Sequence, residues 1–144
     1  MTRTEPRDLW GVVSLDRVAC LGLLRQGAIG RVIFTAGAMP AARPVNYALV
    51  AEEIIFRTGG GHLAAATDNA VVGFEVDDVD LATRTGWSVL VIGKAYRVTD
   101  SDRLSEIASM VPPPWAPGRT KYTIAIPTWR LTGRRVDAAY PCSS

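Results

Sequence analysis

The side chains best suited to chemistry in this 144-residue chain fall between positions 43 and 88. At the centre of that stretch stands Arg57-Thr58-Gly59-Gly60-Gly61-His62. It combines a guanidinium, a hydroxyl, three bare backbone positions and an imidazole. Arginine grips a phosphate with parallel N–H donors, and a threonine hydroxyl adds another donor. Consecutive glycines let backbone N–H groups converge, and a helix start behind them adds positive potential. The pattern is that of a cradle for an anion, with phosphate the obvious candidate. Its plain alternative is a glycine-rich surface turn, and Arg57-Thr58 weighs against it. His62, the single histidine, either helps hold the anion or is an exposed residue at the helix start; both readings stay open.

The same corner nominally fits a dinucleotide fingerprint. Gly59-Gly60-Gly61-His62-Leu63-Ala64 reads as G-x-G-x-x-A, and Asp77 and Asp78 follow about 20 residues on. That reading fails on topology. The segment before the next strand is too short for a parallel crossover helix, and the neighbouring strands are joined as hairpins. A second group is Arg43-Pro44-Val45-Asn46-Tyr47. Proline inside a strand removes a ladder donor, so such a strand is an edge or is interrupted. Its free backbone groups can face a flat heterocycle, with Asn46 adding a side-chain donor and acceptor. The alternative is an ordinary edge strand. A third group is Trp87-Ser88, where the indole can wall a planar ligand or serve as core. Trp115, in a proline-rich loop, suits surface or subunit contact. Arg134 and Arg135 read as a solvated basic end.

These residues need a scaffold. Ser14 suits a helix N-cap with Asp16 in the first turn, and Leu15, Val18, Ala19, Leu23 and Leu24 form a helical apolar stripe ending near Gly27. Residues 28–35, 41–50 and 53–56 read as a three-strand antiparallel meander. Residues 63–68 make at most about two helical turns. A strand at 71–77 precedes a polar loop, Asp77-Asp78-Val79-Asp80. Residues 86–98 form the longest strand, with Gly93 a bulge or close-approach point. An amphipathic helix at 100–110 stops at Pro112-Pro113-Pro114. A last strand covers 121–126, and 129–136 continues the chain. Residues 1–11 and 138–144 read as loose termini of a single domain spanning 1–144. The expected class is mainly β (α+β): a six-stranded antiparallel barrel with two or three short helices.

Composition narrows the function. A net charge of +2, with basic residues scattered, gives no footprint for nucleic acid. No apolar run approaches the roughly 18 residues needed to span a bilayer, and residues 1–10 lack the apolar stretch of a secretory signal. Cys20 and Cys142 are distant and unpatterned, which argues against a disulfide framework or zinc site. One histidine excludes multi-histidine metal centres. The expectation is a reduced, cytoplasmic protein that handles a small molecule, with neither nucleic acid nor membrane as partner and no metal.

Taken in order, several pieces resemble a known family. They are Gly30-Arg31-Val32, Arg43-Pro44-Val45-Asn46-Tyr47, Phe56-Arg57-Thr58-Gly59, Val72-Gly73-Phe74-Glu75-Val76-Asp77, Gly86-Trp87-Ser88-Val89 with Gly93, and Thr132-Gly133-Arg134. Together they resemble the pyridoxamine 5′-phosphate oxidase-like flavin-binding split-barrel family. The likeness is nearer to its small actinobacterial-type and nitroimidazole-reductase-like members, and it runs over roughly residues 15–136. It implies a split barrel and a homodimer with FMN in a groove at the interface. On that basis Arg43, Pro44, Val45 and Asn46 lie along the isoalloxazine. Arg57 and Thr58 bind the phosphate, helped by Gly61, His62 and Leu63. Trp87 and Ser88 lie near the flavin, across the interface. The implied activity is a flavin-dependent oxidoreductase acting on a small planar acceptor such as a quinone or nitroaromatic. Deazaflavin coenzyme is the alternative cofactor, with Lys94, Arg97, Lys121 and Arg130 as partners for its acidic tail. A non-catalytic flavin- or haem-binding stress or storage protein also fits the resemblance, as does a cofactor-free interaction module. Arg134 and Arg135 stand without the histidine of the oxidase proper, so vitamin B6 oxidation is not implied.

Overall fold

The computed structural model describes residues 12–115, 118 and 120–137. The terminal arms at 1–11 and 138–144, and with them Cys142, lie outside the described residues. The chain runs β1 (Val12–Leu15), α1 (Arg17–Gln26), β2 (Ile29–Ala36), β3 (Met39–Val50), β4 (Glu53–Thr58), α2 (Gly61–Thr67), β5 (Val71–Asp80), β6 (Thr85–Lys94), β7 (Tyr96–Arg97), α3 (Ser101–Ile107), β8 (Tyr122–Pro127) and β9 (Arg130–Val136). Every strand pairing is antiparallel, in the order β1-β9-β6-β5-β2-β3-β4-β8-β7. This is the expected mainly β split barrel with three short helices, but with nine strands among the described residues where six are read from sequence. No helix among them is long and apolar enough to cross a membrane.

The local departures have physical causes. Residues 12–15 alternate, with Val13 and Leu15 buried and Val12 and Ser14 facing outward, and pair with β9, so Ser14 is a strand residue and Asp16 is the helix cap, accepting from the Ala19 N–H at 2.9 Å. The acidic run at 77–80 is strand as well, because each carboxylate sits opposite a residue of β6 from Thr85 to Ser88. Cross-strand pairing outweighs the low β-propensity of aspartate here. The stretch 86–98 breaks at Ala95, whose N–H and C=O leave β6 to bond Ala70 and Asn69 at 2.8 Å each. Gly37 and Ala38, with φ of 57° and 62°, make the tight turn between β2 and β3.

The inner face of the curled sheet packs Val32, Phe34, Tyr47, Phe56, Phe74, Val76, Val89 and Val91 into one core. The Phe74 ring meets Tyr47 edge-on at 5.0 Å and stacks on Phe56 at 6.5 Å. A second, smaller core of Ile55, Val98, Ile107, Val111 and Ala125 lies under α3. Arg103 of α3 reaches the Tyr96 hydroxyl and the Glu53 carboxylate, and Tyr96 itself donates to Glu53 at 2.8 Å. This triad fixes α3 against β4 and β7. The sheet closes on itself where β6 meets β8. A methyl on Gly93 would stand 2.0 Å from the Pro127 carbonyl oxygen, which is backbone and cannot swing aside. Gly93 is therefore the expected close-approach point. Gly93→Ala is expected to destabilise the fold by about 2 kcal/mol or more through overpacking. The midpoint of denaturant unfolding measures it, and an unchanged midpoint would show that the closure is loose.

Candidate functional site

Strand β3 changes partners midway. Residues 39–46 pair with β2, and 47–50 pair with β4. The edge of β3 that would face β4 is therefore unpaired by β4 up to Asn46. A cleft of about 670 Å³ opens beside it. Arg43, Pro44, Val45 and Asn46 form one wall; Arg57, Thr58, Gly59, Gly60 and Leu63 form the opposite end. Pro114, Trp115, Gly118 and Thr120, from the loop after α3, close over it. Among the described residues two guanidinium groups line this cleft and no carboxylate does. Its field favours an anion.

Arg57, Thr58 and Asn46 are each positioned by a hydrogen bond within the protein. Arg57 and Thr58 are the last residues of β4, opposite Thr123 and Tyr122 of β8. Arg57 Nη2 donates to the Ala108 carbonyl at the end of α3, at 2.8 Å. That contact uses one of five N–H donors and leaves the fork able to bind an anion. The Thr58 hydroxyl accepts from the Gly60 N–H at 3.3 Å. Asn46 Oδ1 accepts from the Trp115 N–H at 2.9 Å, tying the covering loop to the β3 wall. Leu63 is buried and forms the floor.

The glycine corner is open on the protein side. A methyl on Gly60 would meet only the Thr58 hydroxyl at 3.9 Å, and one on Gly61 only the Tyr122 hydroxyl at 4.0 Å. The Gly60 φ is −83°, which any residue adopts. Neither strain nor crowding by the chain itself calls for glycine there. What a side chain on Gly60 would occupy is the cleft. A basic, hydroxyl-bearing pocket with a bare backbone end and a strand wall carrying Pro44 fits a flat group carrying a phosphate.

Of the residues singled out from sequence, Arg43, Pro44, Val45, Asn46, Arg57, Thr58 and Leu63 come together in this cleft. Gly61 and His62 occupy the first turn of α2, are exposed, and do not line it. Trp87 and Ser88 lie elsewhere on the protomer, in a second pocket of about 660 Å³ with Asp77, Val79, Leu81 and Arg134. Sequence reasoning missed Ile29 and the loop residues Pro114, Gly118 and Thr120 as lining; Trp115, read as a surface or subunit-contact residue, is exposed and also borders the cleft. The Asn46–Trp115 contact spans 69 positions, so no local pattern could announce it. The described residues hold no cluster of three or more histidine, cysteine or acidic side chains able to bind a metal.

A family profile described as Pyridoxamine 5′-phosphate oxidase matches residues 16–135. The chain belongs to this family. Its relatives include the uncharacterized protein Rv0080 of Mycobacterium tuberculosis, 36% identical over 142 residues, covering 94% of this chain and 93% of that one. Among solved structures, an FAD binding protein from Mycobacterium smegmatis is similar, with 29% identity and a TM-score of 0.69 over 88% of this chain and 99% of that one. So is the conserved protein of unknown function DIP1874 from Corynebacterium diphtheriae, with 26% identity and a TM-score of 0.75 over 88% and 99%. The pyridoxamine 5′-phosphate oxidase family match takes in every cleft-lining residue named above.

Asn46→Ala is expected to release the covering loop from the β3 wall. Loss of a hydrogen bond worth about 1 kcal/mol should speed exchange of the Trp115 amide by about fivefold. Amide hydrogen exchange reads this directly, and unchanged protection would mean that other contacts hold the loop.

Proposed function

We propose that this protein is a flavin-dependent oxidoreductase that binds FMN in the β3–β4 cleft as a homodimer and acts on a small planar acceptor. The observation that carries this reading is the cleft itself. It has two guanidiniums without a carboxylate among the described residues, a bare glycine end, and a strand wall whose outer edge is not paired by β4. The FAD binding protein of Mycobacterium smegmatis, a structural relative at 29% identity, supports flavin as the cofactor class.

When bound, flavin supplies hydride-transfer chemistry that side chains lack. The chain's own part is to bind, orient and shield. Arg57 and Thr58 present donors to the phosphate, and the Gly59-Gly60 backbone leaves it room. Pro44 and Val45 offer an apolar wall to the ring. Arg43, at the head of that wall, would offer positive charge to a ring that gains negative charge on reduction. Pro114 and Trp115 would flank the ligand on the open side. Trp87 and Ser88 belong to a separate pocket on one protomer. Their role at the cofactor therefore needs a second copy to carry them to the first cleft, which is the reason for inferring a dimer.

The relative's FAD makes the dinucleotide a second reading, since FAD carries the same ring and an inner phosphate. Mass spectrometry of ligand released from native protein separates FMN, FAD and the deazaflavin coenzyme. A flavin absorbance band bleached by a reduced nicotinamide supports turnover, whereas a band that resists reduction favours storage. Arg57→Ala is expected to weaken FMN binding by more than about tenfold, because a charge-assisted phosphate contact is worth about 1.5–3 kcal/mol. Fluorescence titration of wild type and variant tests it, with the thermal melt as a control for the lost Ala108 contact. Equal affinities would remove Arg57 from the site.

A further inference from the structure

One face of β4 carries Glu53, Ile55 and Arg57, because side chains two positions apart on a strand point the same way. Helix α3 lies along that face and meets it at three places. In its first turn, Arg103 reaches the Glu53 carboxylate and the Tyr96 hydroxyl, and Tyr96 also donates to Glu53 at 2.8 Å. At its last residue, buried Ile107 packs with Ile55 in the second core. Just past it, the Ala108 carbonyl accepts from Arg57 Nη2 at 2.8 Å. Of these residues only Arg57 lines the cleft.

The Ala108 contact is the one hydrogen bond of the Arg57 side chain among the described residues, and Arg57 forms no ion pair with them. The sequence leaves that carbonyl available. The Met110 and Val111 N–H groups both turn back to the Ile107 carbonyl, at 2.9 and 3.1 Å. The residue four positions beyond Ala108 is Pro112, which has no N–H to give. Where the carbonyl stands therefore depends on where α3 ends. A helix of seven residues holds its place through tertiary contacts rather than its own propensity. The apolar contact under α3 is non-directional and tolerates sliding. The Glu53–Tyr96–Arg103 triad is directional, charged and partly buried, so it fixes the helix lengthwise.

We infer that Glu53, Tyr96 and Arg103 are positioning residues for the anion cradle: they set α3 so that its terminal carbonyl holds the Arg57 guanidinium at the cleft before a ligand arrives. The inference rests on the flavin reading above and deepens it, by placing control of the phosphate end in three residues outside the cleft lining. The Ala108 carbonyl engages one N–H of Arg57, and the others stay available to a phosphate. A guanidinium already held loses less freedom on binding than a mobile one. The effect belongs to the phosphate end. Arg43, Pro44, Val45 and Asn46 stand on the part of β3 that pairs with β2, and the roof is tied to that wall by its own Asn46–Trp115 bond.

FMN and riboflavin share the ring and differ by the phosphate, so the ratio of their affinities isolates the Arg57 end. Fluorescence titration of each into the full chain tests the inference. Arg103→Met is expected to lower the preference for FMN over riboflavin by about fivefold, through the freedom returned to one side chain. Glu53→Gln keeps the size and removes the charge, and should lower it by about twofold. In an Arg57→Ala background neither substitution should change the ratio. Should Arg103→Met fail to fold, Glu53→Gln in the two backgrounds carries the comparison. Equal losses for both ligands, or a loss that persists without Arg57, show that the triad only stabilises the fold and overturn the inference. A preference that rises shows the Ala108 carbonyl competing with phosphate, and overturns it too. A wild-type chain that binds both ligands equally removes the phosphate end and the inference together while leaving flavin standing, and one that binds neither removes the flavin reading itself.

Discussion

Strand β3 changes partner between Asn46 and Tyr47, and the rest of the molecule is arranged around that change. Asn46 is the last residue matched to β2, opposite Ile29, and Tyr47 is the first matched to β4, opposite Phe56. Before Tyr47 the strand is matched on its β2 side only, so the edge toward β4 is left uncovered by β4. The tyrosine makes the change definite. Its ring is buried against Phe74, its hydroxyl donates to the Leu24 carbonyl at 2.6 Å, and its N–H reaches the Ala28 carbonyl at 3.2 Å. Burial also pushes the phenol well above its ordinary range, which keeps it a donor. The space its hydroxyl takes explains Gly27, where a methyl would lie 2.2 Å from that oxygen. Sliding β3 by one residue would turn this whole set outward.

The roof of the cleft depends on a different set of contacts. The second core holds α3 against β4 and β8, and the Glu53–Tyr96–Arg103 triad sets its angle. That places the Ala108 carbonyl where Arg57 can reach it. The loop that follows then crosses to Asn46. Arg57 therefore has two roles that share one geometry: it ends α3 and it lines the cleft. A cation beside the last carbonyls of a helix is favourable in itself, so the group aimed at an anion is already held when none is bound. Preorganised donors of this kind cost less to engage than mobile ones.

The two pockets share one continuous sheet. Ile29 and Pro44 border the first cleft, Arg31 stands opposite Pro44 on one side and Glu75 on the other, and Asp77 leads on to Ser88 and Arg134 at the second pocket. An outward-facing sheet surface with half-buried Leu90 and Ile92 is poorly suited to water alone.

The family resemblance implied that Arg57, Thr58 and the Arg43–Asn46 run share one site, while the fold class, the meander order and the close approach at Gly93 were legible in the residues themselves. These rest on short-range rules: alternation, turn-forming residues, and what proline and glycine forbid or allow. Even there the acidic strand end at 77–80 and β1 escaped notice, because their pairing with β6 and β9 is non-local. Long-range packing keeps His62 out of the cleft lining, brings Trp115 to the cleft border and assigns Trp87 to another pocket. Strand register and the packing of α3 settle those questions. Both are sums of contacts between residues tens of positions apart, and no window of sequence contains them.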